Sequence, residues 1–187
     1  MLDVISECLD DAADLCTRLQ AFAPSLSDLS DRVLHCLQDG HKLMFCGNGG
    51  SASDGAHIAT EFTGRFSRER GPYRAMALSS DPGLLTCIAN DYDYETVFAR
   101  QVDAFADEGD ILFALTTSGK STNIISALER GRANGITTVA FLGKGGGDAK
   151  GMADIEFIIP SDTTARIQEA HKLLLHIMCE LVDRQLK

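Results

Sequence analysis

The chain has 187 residues, 44% hydrophobic and 24% charged, which is enough apolar material for one sizeable core and too much for a disordered chain. Its 17 Lys and Arg stand against 27 Asp and Glu, a formal charge of −10, which argues against a broad surface tracking the phosphates of DNA or RNA and leaves room for a local anion pocket. No apolar run reaches the ~20 residues that cross a bilayer, and the opening MLDVISECLDDAADL is acidic where a signal peptide would be basic. The expected location is therefore the cytoplasm, with neither membrane nor nucleic acid as partner.

From Leu2 to about Gln38 apolar residues recur at helical spacing (Val4, Ile5, Cys8, Leu9, Ala12, then Leu29, Val33, Leu34, Leu37), and Pro24 interrupts them. Two amphipathic helices are expected over residues 1–40. After Gly40 the pattern changes to short apolar runs followed by Gly/Ser-rich turns and helical stretches: KLMFC before GNGGS, ILFALT before TSGKS, TTVAFL before GKGGG, DIEFIIP before SDTTA. That alternation predicts a parallel sheet with crossover helices over 41–187. A further strand is expected near Arg74–Leu78 and a helix over Asp91–Ala106. A long last helix is expected over Thr163–Gln185, with Ile167, Ala170, Leu174, Ile177 and Leu181 on its apolar side. The units at 42–65 and 111–134 echo one another. Cysteines 8, 16, 36, 46, 87 and 179 show no C-x-x-C pairing, which indicates neither a zinc knuckle nor a disulfide framework and leaves reduced, mostly buried thiols as the expectation.

In an open α/β sheet, ligands bind beyond the carboxyl ends of the strands, where loop amides and helix N-termini converge on an anion. Thr116-Thr117-Ser118-Gly119-Lys120-Ser121 offers four hydroxyls in six residues at a predicted helix start, suited to enclosing a phosphate. The simpler role, Ser118 or Ser121 capping the helix, competes with it. The GKS triplet is no P-loop, because G-x-x-x-x-G-K-[ST] needs glycine at 114 and Ala114 stands there. Gly47-Asn48-Gly49-Gly50-Ser51-Ala52 fits G-x-G-x-x-A, but the ribose-binding acid would fall at Glu69 inside RFSRERGP, which does not look like a strand end. His57 and Glu61, four apart in Ser51–Arg65, share one helix face, and Arg65 extends the row. Gln168 and His176 can line one edge of a site, while His171 points elsewhere. Taken alone, a surface ladder or a hydrogen-bonded core histidine explains these residues as well as a site does.

CGNGGSASDGAHIATEFTGR, Asn90-Asp91, TTSGKS and TARIQEAHKLLLHIMCEL resemble, in the same order along nearly the whole chain, the signature blocks of the phosphoheptose isomerase family of sugar isomerase (SIS) domains. The resemblance implies an α/β fold, a three-layer parallel-sheet sandwich of flavodoxin-like or Rossmann-like character with N-terminal helices. The whole of 1–187 would be a single SIS domain, with 1–40 a helical segment and 41–187 the core, assembled as a homotetramer with sites between subunits. It further implies conversion of D-sedoheptulose 7-phosphate to D-glycero-D-manno-heptose 7-phosphate through an enediolate, the first step towards nucleotide-activated heptose. Asn48, Gly49, Gly50, Asn90 and Asp91 would contact the sugar, with Glu61 and Gln168 beside it, while Thr116, Thr117, Ser118 and Ser121 would bind its phosphate. His57, Glu61, Gln168 and His176 would surround a zinc ion, with Glu61 and His176 as the acid–base pair.

Two positions depart from the family pattern: Thr116 where serine is usual, and Lys120 where asparagine is common. Lys120 either adds charge to the phosphate site or points to solvent. The alternative reading is a noncatalytic SIS-domain partner of the bacterial replication initiator, a relative that lacks this Glu and this terminal His. Both Glu61 and His176 are retained, which favours the enzyme. A sugar-phosphate sensor would usually carry a DNA-binding domain, and no basic helix-turn-helix segment is visible.

Overall fold

A computed structural model describes residues 1–186. In chain order it contains α1 (Leu2–Leu19), a 3-10 turn at Gln20–Phe22, α2 (Ala23–Gln38), β1 (Leu43–Gly47), α3 (Gly50–Thr63), β2 (Ala75–Ala77), α4 (Pro82–Asp91) and α5 (Ala99–Phe105), then β3 (Ile111–Thr116), α6 (Thr122–Ala133), β4 (Thr137–Leu142), a 3-10 segment at Lys144–Ala149, β5 (Ile155–Ile158) and α7 (Thr164–Asp183). The strands form one parallel sheet in the order β2-β1-β3-β4-β5.

Side chains alternate across a strand with period two, and here both faces are covered. Leu43, Phe45, Phe113, Phe141 and Phe157 point into the core shared with α1, α2, α3 and α7. Met44, Cys46, Leu112, Ala114 and Ala140 point into the core shared with α4, α5 and α6. On the first face four phenylalanines run across the strands, with ring centroids 4.7, 6.5 and 4.8 Å apart for successive pairs. All four rings are fully buried, each worth about 1.5–3 kcal/mol of transfer free energy. This is the expected three-layer α/β sandwich, with both predicted N-terminal helices and every predicted strand. Pro24 occupies the first turn of α2, where its missing N–H costs nothing.

Three local expectations are corrected. Asp91–Ala106 is helical only at its ends: Asp93 Oδ1 accepts the Thr96 N–H at 2.8 Å, a local turn that competes with helix. The preceding helix α4 begins instead at Pro82, where Asp81 Oδ1 accepts the Leu84 N–H at 3.0 Å as an N-cap. On α7 the core face is Ile167, Ala170, His171, Leu174, Leu175, Met178, Cys179 and Val182, and Ile177 lies outside it, 37% exposed. Of the cysteines, 36, 46 and 179 are buried while 8, 16 and 87 are exposed, so half rather than most are core thiols. Burial pushes the Cys36 and Cys46 thiols up to about 12, so they stay protonated.

Candidate active site

The chain leaves β1 for the edge strand β2 and then returns to the other side of β1 to form β3. The point where the order reverses opens a crevice at the carboxyl ends of β1 and β3. Asn48 follows β1, and Asn123 opens α6 after β3. Their side-chain amides hydrogen-bond reciprocally, Nδ2 to Oδ1 at 2.9 Å in each direction. The Tyr94 hydroxyl also donates to Asn48 Oδ1, at 2.8 Å. Asn48 is thereby held by groups 46 and 75 residues away, and neither Asn123 nor Tyr94 carries a sequence signal that singles it out. A buried Asn in the first turn of a helix looks like any helix start. The backbone beside Asn48 turns at Gly49, φ 55°, a left-handed conformation that glycine adopts without steric cost.

The hydroxyl loop lies at the same edge. Thr116 Oγ1 is 3.4 Å from both Ser118 Oγ and Ser121 Oγ, and it accepts the Gly119 N–H at 3.2 Å. The Lys120 N–H donates to Ser118 Oγ at 3.1 Å. Ser121 is the N-cap residue of α6, yet its side chain makes no cap hydrogen bond, so simple capping does not account for it. Thr117 is half-buried beside these groups. Three oxygens converge around a helix N-terminus, whose positive end favours an anion. The loop is kept in shape by the 143–149 segment: the Ala149 N–H donates to the Gly119 carbonyl at 2.9 Å, and a Cβ built on Gly119, φ 63°, would fall 1.9 Å from the Gly146 oxygen. Gly119→Ala should therefore cost about 2–4 kcal/mol from left-handed strain and overpacking. Thermal unfolding measures this, and an unchanged transition would contradict the packing described.

The helices α3 and α7 run side by side in the same direction, and contacts recur along the seam at a nearly constant offset. A Cβ on Gly50 would meet Gln168 Nε2 at 2.2 Å. Lys172 Nζ is 2.8 Å from Asp54 Oδ1. Farther along, His57 Nε2 lies 2.9 Å from His176 Nε2 and 3.2 Å from Glu61 Oε1. Ligand atoms of His57, Glu61 and His176 all fall within 4.8 Å of one another. Glu61 is 17% exposed, and Phe66 lies over the His176 ring, centroids 6.2 Å apart. Burial and then the neighbouring His57 hold the His176 imidazole below its ordinary range, so it is neutral near pH 7.

Two imidazole nitrogens and a carboxylate oxygen this close form a donor set for a divalent ion, since ligands ~2.0–2.2 Å from a tetrahedral zinc stand about 3.4 Å apart. The seam thus brings together three of the four expected ligands. Gln168 sits two turns earlier on α7, over Gly50. Between the heads of α3 and α7 is a cavity of about 380 Å³ lined by Gly50, Ser53, Asp54, Gln168 and Lys172, within the range of small-ligand sites. A larger one, about 420 Å³, lies at the edge strand among Ala56, Ala75, Met76 and Leu84 and contains none of the candidate residues.

Other expectations fall outside this cluster. Arg65 follows the end of α3 and pairs with Glu69 at 3.7 Å, so the His57–Glu61 row does not extend to it. His171 is fully buried on the sheet side of α7, 3.2 Å from the Leu142 carbonyl and packed edge-on against Phe141. Burial pushes its imidazole down to about 4, a core histidine in fact. Asn90 and Asp91 close α4, exposed and bonded to each other, Nδ2 to Oδ1 at 2.9 Å. They make no hydrogen bond to the Asn48 group among the described residues.

Residues 8–143 match the SIS domain family. A phosphoheptose isomerase of Aquifex aeolicus is 42% identical over 184 residues, covering 98% of this chain and 96% of the relative. One from Roseiflexus is 45% identical over 168 residues, 90% and 85% of the respective chains. Among solved structures, the phosphoheptose isomerase of Francisella tularensis superposes with a TM-score of 0.94 at 35% identity, and that of Neisseria gonorrhoeae with 0.92 at 33%; each match covers 98% of both chains.

Proposed function

The chain belongs to the SIS-domain family and within it to the phosphoheptose isomerases, and on that premise we propose how its residues divide the work. It is an aldose–ketose isomerase of a heptose phosphate. We take the substrate as D-sedoheptulose 7-phosphate and the product as D-glycero-D-manno-heptose 7-phosphate. The observation that carries this reading is the meeting of Glu61 with His57 and His176 across the α3–α7 seam.

Ketose-to-aldose conversion removes a proton from C1, passes through an enediolate and returns a proton at C2, while a proton moves from O1 to O2. No electron is gained or lost overall. Glu61, close to the carbons, removes and returns the carbon-bound proton; His176, neutral at the start, carries the proton between the oxygens. Thr116, Thr117, Ser118 and Ser121 grip the phosphate and fix the far end of the sugar, and Asn48, Gly49, Gly50, Asn90 and Asp91 bind its hydroxyls. Holding both ends converts the proton transfers into steps between prepositioned partners. His57, Glu61 and His176 are the residues that would hold a zinc ion, with Gln168 as a fourth ligand or, as its place over Gly50 favours, a contact to the sugar. Zinc, when bound, supplies Lewis acidity that polarises the carbonyl oxygen.

We further propose a homotetramer with sites between subunits, one SIS domain per chain, and a cytoplasmic setting in which this is the first step towards nucleotide-activated heptose. No described helix is long and apolar enough to cross a membrane. Leu2, Val4, Ile5 and Leu9 on α1 are exposed, which supports burial against another copy. The noncatalytic reading gains no support from residues that retain both groups of an acid–base pair.

NMR of sedoheptulose 7-phosphate incubated with the protein tests this. The expected result is an aldose anomeric signal, a rate at least about tenfold lower after chelation, and recovery with added zinc. An unchanged ketose spectrum with zinc present would overturn the assignment, and a chelation-resistant rate would remove the metal from it.

A further inference from the structure

Lysine is scarce in this chain, with six residues, and the five described ones divide into two groups. Lys42 pairs with Asp107 and Asp110 at 2.7 and 2.5 Å, and Lys172 pairs with Asp54. Lys120, Lys144 and Lys150 make no ion pair among the described residues. All three sit on the two loops that pack together at the carboxyl edge of β3 and β4. Lys120 lies inside the hydroxyl loop, between Ser118 and Ser121, its N–H tied to Ser118 Oγ. Lys144 opens the facing loop in left-handed backbone, φ 50°. A Cβ on Gly146 would meet the Lys150 Cβ at 2.9 Å, and the Gly146 carbonyl packs against Gly119.

The loops 116–121 and 143–151 carry a single carboxylate, Asp148. Neither it nor Asp162, beside the Ser161 carbonyl that the Lys144 N–H reaches, forms an ion pair with a lysine among the described residues. In an acidic protein of charge −10, the described lysines without an ion pair thus all lie, exposed, on the two loops at this one edge. Cations on one edge with no carboxylate paired to them raise the local potential, which favours a bound anion.

We propose that Lys120, supported by the field of Lys144 and Lys150, is a specificity-determining residue that sets the affinity of this site for the dianionic phosphate of its sugar substrate. This rests on the phosphosugar reading above. Hydroxyls and amides alone hold a phosphate through neutral donors. An ammonium on a flexible stem adds a charge-assisted contact, roughly twice as strong as a neutral one, and draws the anion in at a rate that falls with salt.

The test compares full-length wild type with Lys120→Met, which keeps the stem and removes the charge, and with Arg32→Met, which makes the same change of net charge at an exposed site on α2. Inorganic phosphate binding is measured by 31P NMR titration at low and high salt, and KM and kcat with sedoheptulose 7-phosphate. Lys120→Met should raise the phosphate Kd and the KM together, by about tenfold at low salt, with the gap closing at high salt and kcat within about twofold. Arg32→Met should change neither, and Lys120→Arg should restore most of the loss. Wild-type phosphate affinity in Lys120→Met, or a loss matched by Arg32→Met, would overturn the proposal. The titration needs no turnover, so the outcomes separate. Weakened phosphate binding by Lys120→Met in a chain inactive on heptulose phosphate would refute the catalytic reading alone; normal turnover with unaltered phosphate binding would refute the lysine's role alone.

Discussion

Replacing Glu61 with glutamine should lower the isomerisation rate by about 10³-fold while inorganic phosphate binding at the Thr116–Ser121 loop stays as in the wild type. The substitution keeps the length and shape of the side chain, so the 3.2 Å approach to His57 Nε2 can persist as a hydrogen bond from the amide. What it removes is basicity: an amide cannot accept the C1 proton. Because Glu61 also belongs to the donor set of His57 and His176, metal content has to be measured alongside the rate. Exchange of the C1 proton with solvent deuterium isolates the step assigned to the carboxylate. A variant that binds phosphate, retains its metal and exchanges that proton at the wild-type rate would show that some other group is the base. Loss of exchange with metal retained assigns the proton to Glu61, and loss of both exchange and metal calls for the same comparison at saturating zinc.

The parts of this molecule that were legible in the sequence are those governed by local chemistry. A strand buried on both faces reads as a continuous apolar run, and LMFC, ILFALT and TTVAFL all lie in the sheet. The Gly/Ser turns after them mark carboxyl ends, and the hydroxyl density at Thr116–Ser121 marks an anion loop. Spacing alone put His57 and Glu61 on one face of α3. It could not tell a ladder from a site, because the deciding neighbour, His176, is 119 residues away. The errors have the same origin. Ile177 obeys the helical period of α7, but it borders an open apolar cavity beside Leu19 of α1 and Leu26 of α2 rather than a filled core, and stays 37% exposed. Asp93 outcompetes the helix expected around it through a single side-chain bond. Asn123 and Tyr94 matter only through Asn48, a partner 75 residues from one and 46 from the other.

Arg70→Met should destabilise the protein by about 3–5 kcal/mol at pH 7, the cost of breaking a buried ion pair from one side and a large share of the 5–15 kcal/mol typical of a folded domain. Arg70 joins the two helices that carry the site. Its Nε donates to Asp183 Oδ1 near the end of α7 at 2.9 Å, Nη2 to the Glu61 carbonyl at 2.7 Å and Nη1 to the Phe62 carbonyl at 3.0 Å. The last carbonyls of α3 lack partners within the helix, so this guanidinium serves two of them, Glu61 and Phe62, and places a cation at the negative end of the dipole. The Arg70 and Asp183 side chains are 2% and 4% exposed. Burial alone would raise the Asp183 carboxyl, but hydrogen bonds from Arg70 and from the Arg68 N–H outweigh it and hold it below the usual carboxylate range. A folded-state value below the unfolded one means stability that is present above the ordinary carboxylate pKa and lost as pH falls through the depressed one. The difference between wild type and Arg70→Met in urea unfolding should accordingly be largest near neutrality and shrink in acid, where a protonated Asp183 no longer needs its partner. Removing both charges, Arg70→Met with Asp183→Leu, should recover much of the stability. It should not recover the rate, because the Glu61 carbonyl has lost the group that ties α3 to α7 beside His176. A single variant within about 0.5 kcal/mol of wild type, the range of ordinary surface changes, or a double variant with full activity, would show that this clamp does not position the site.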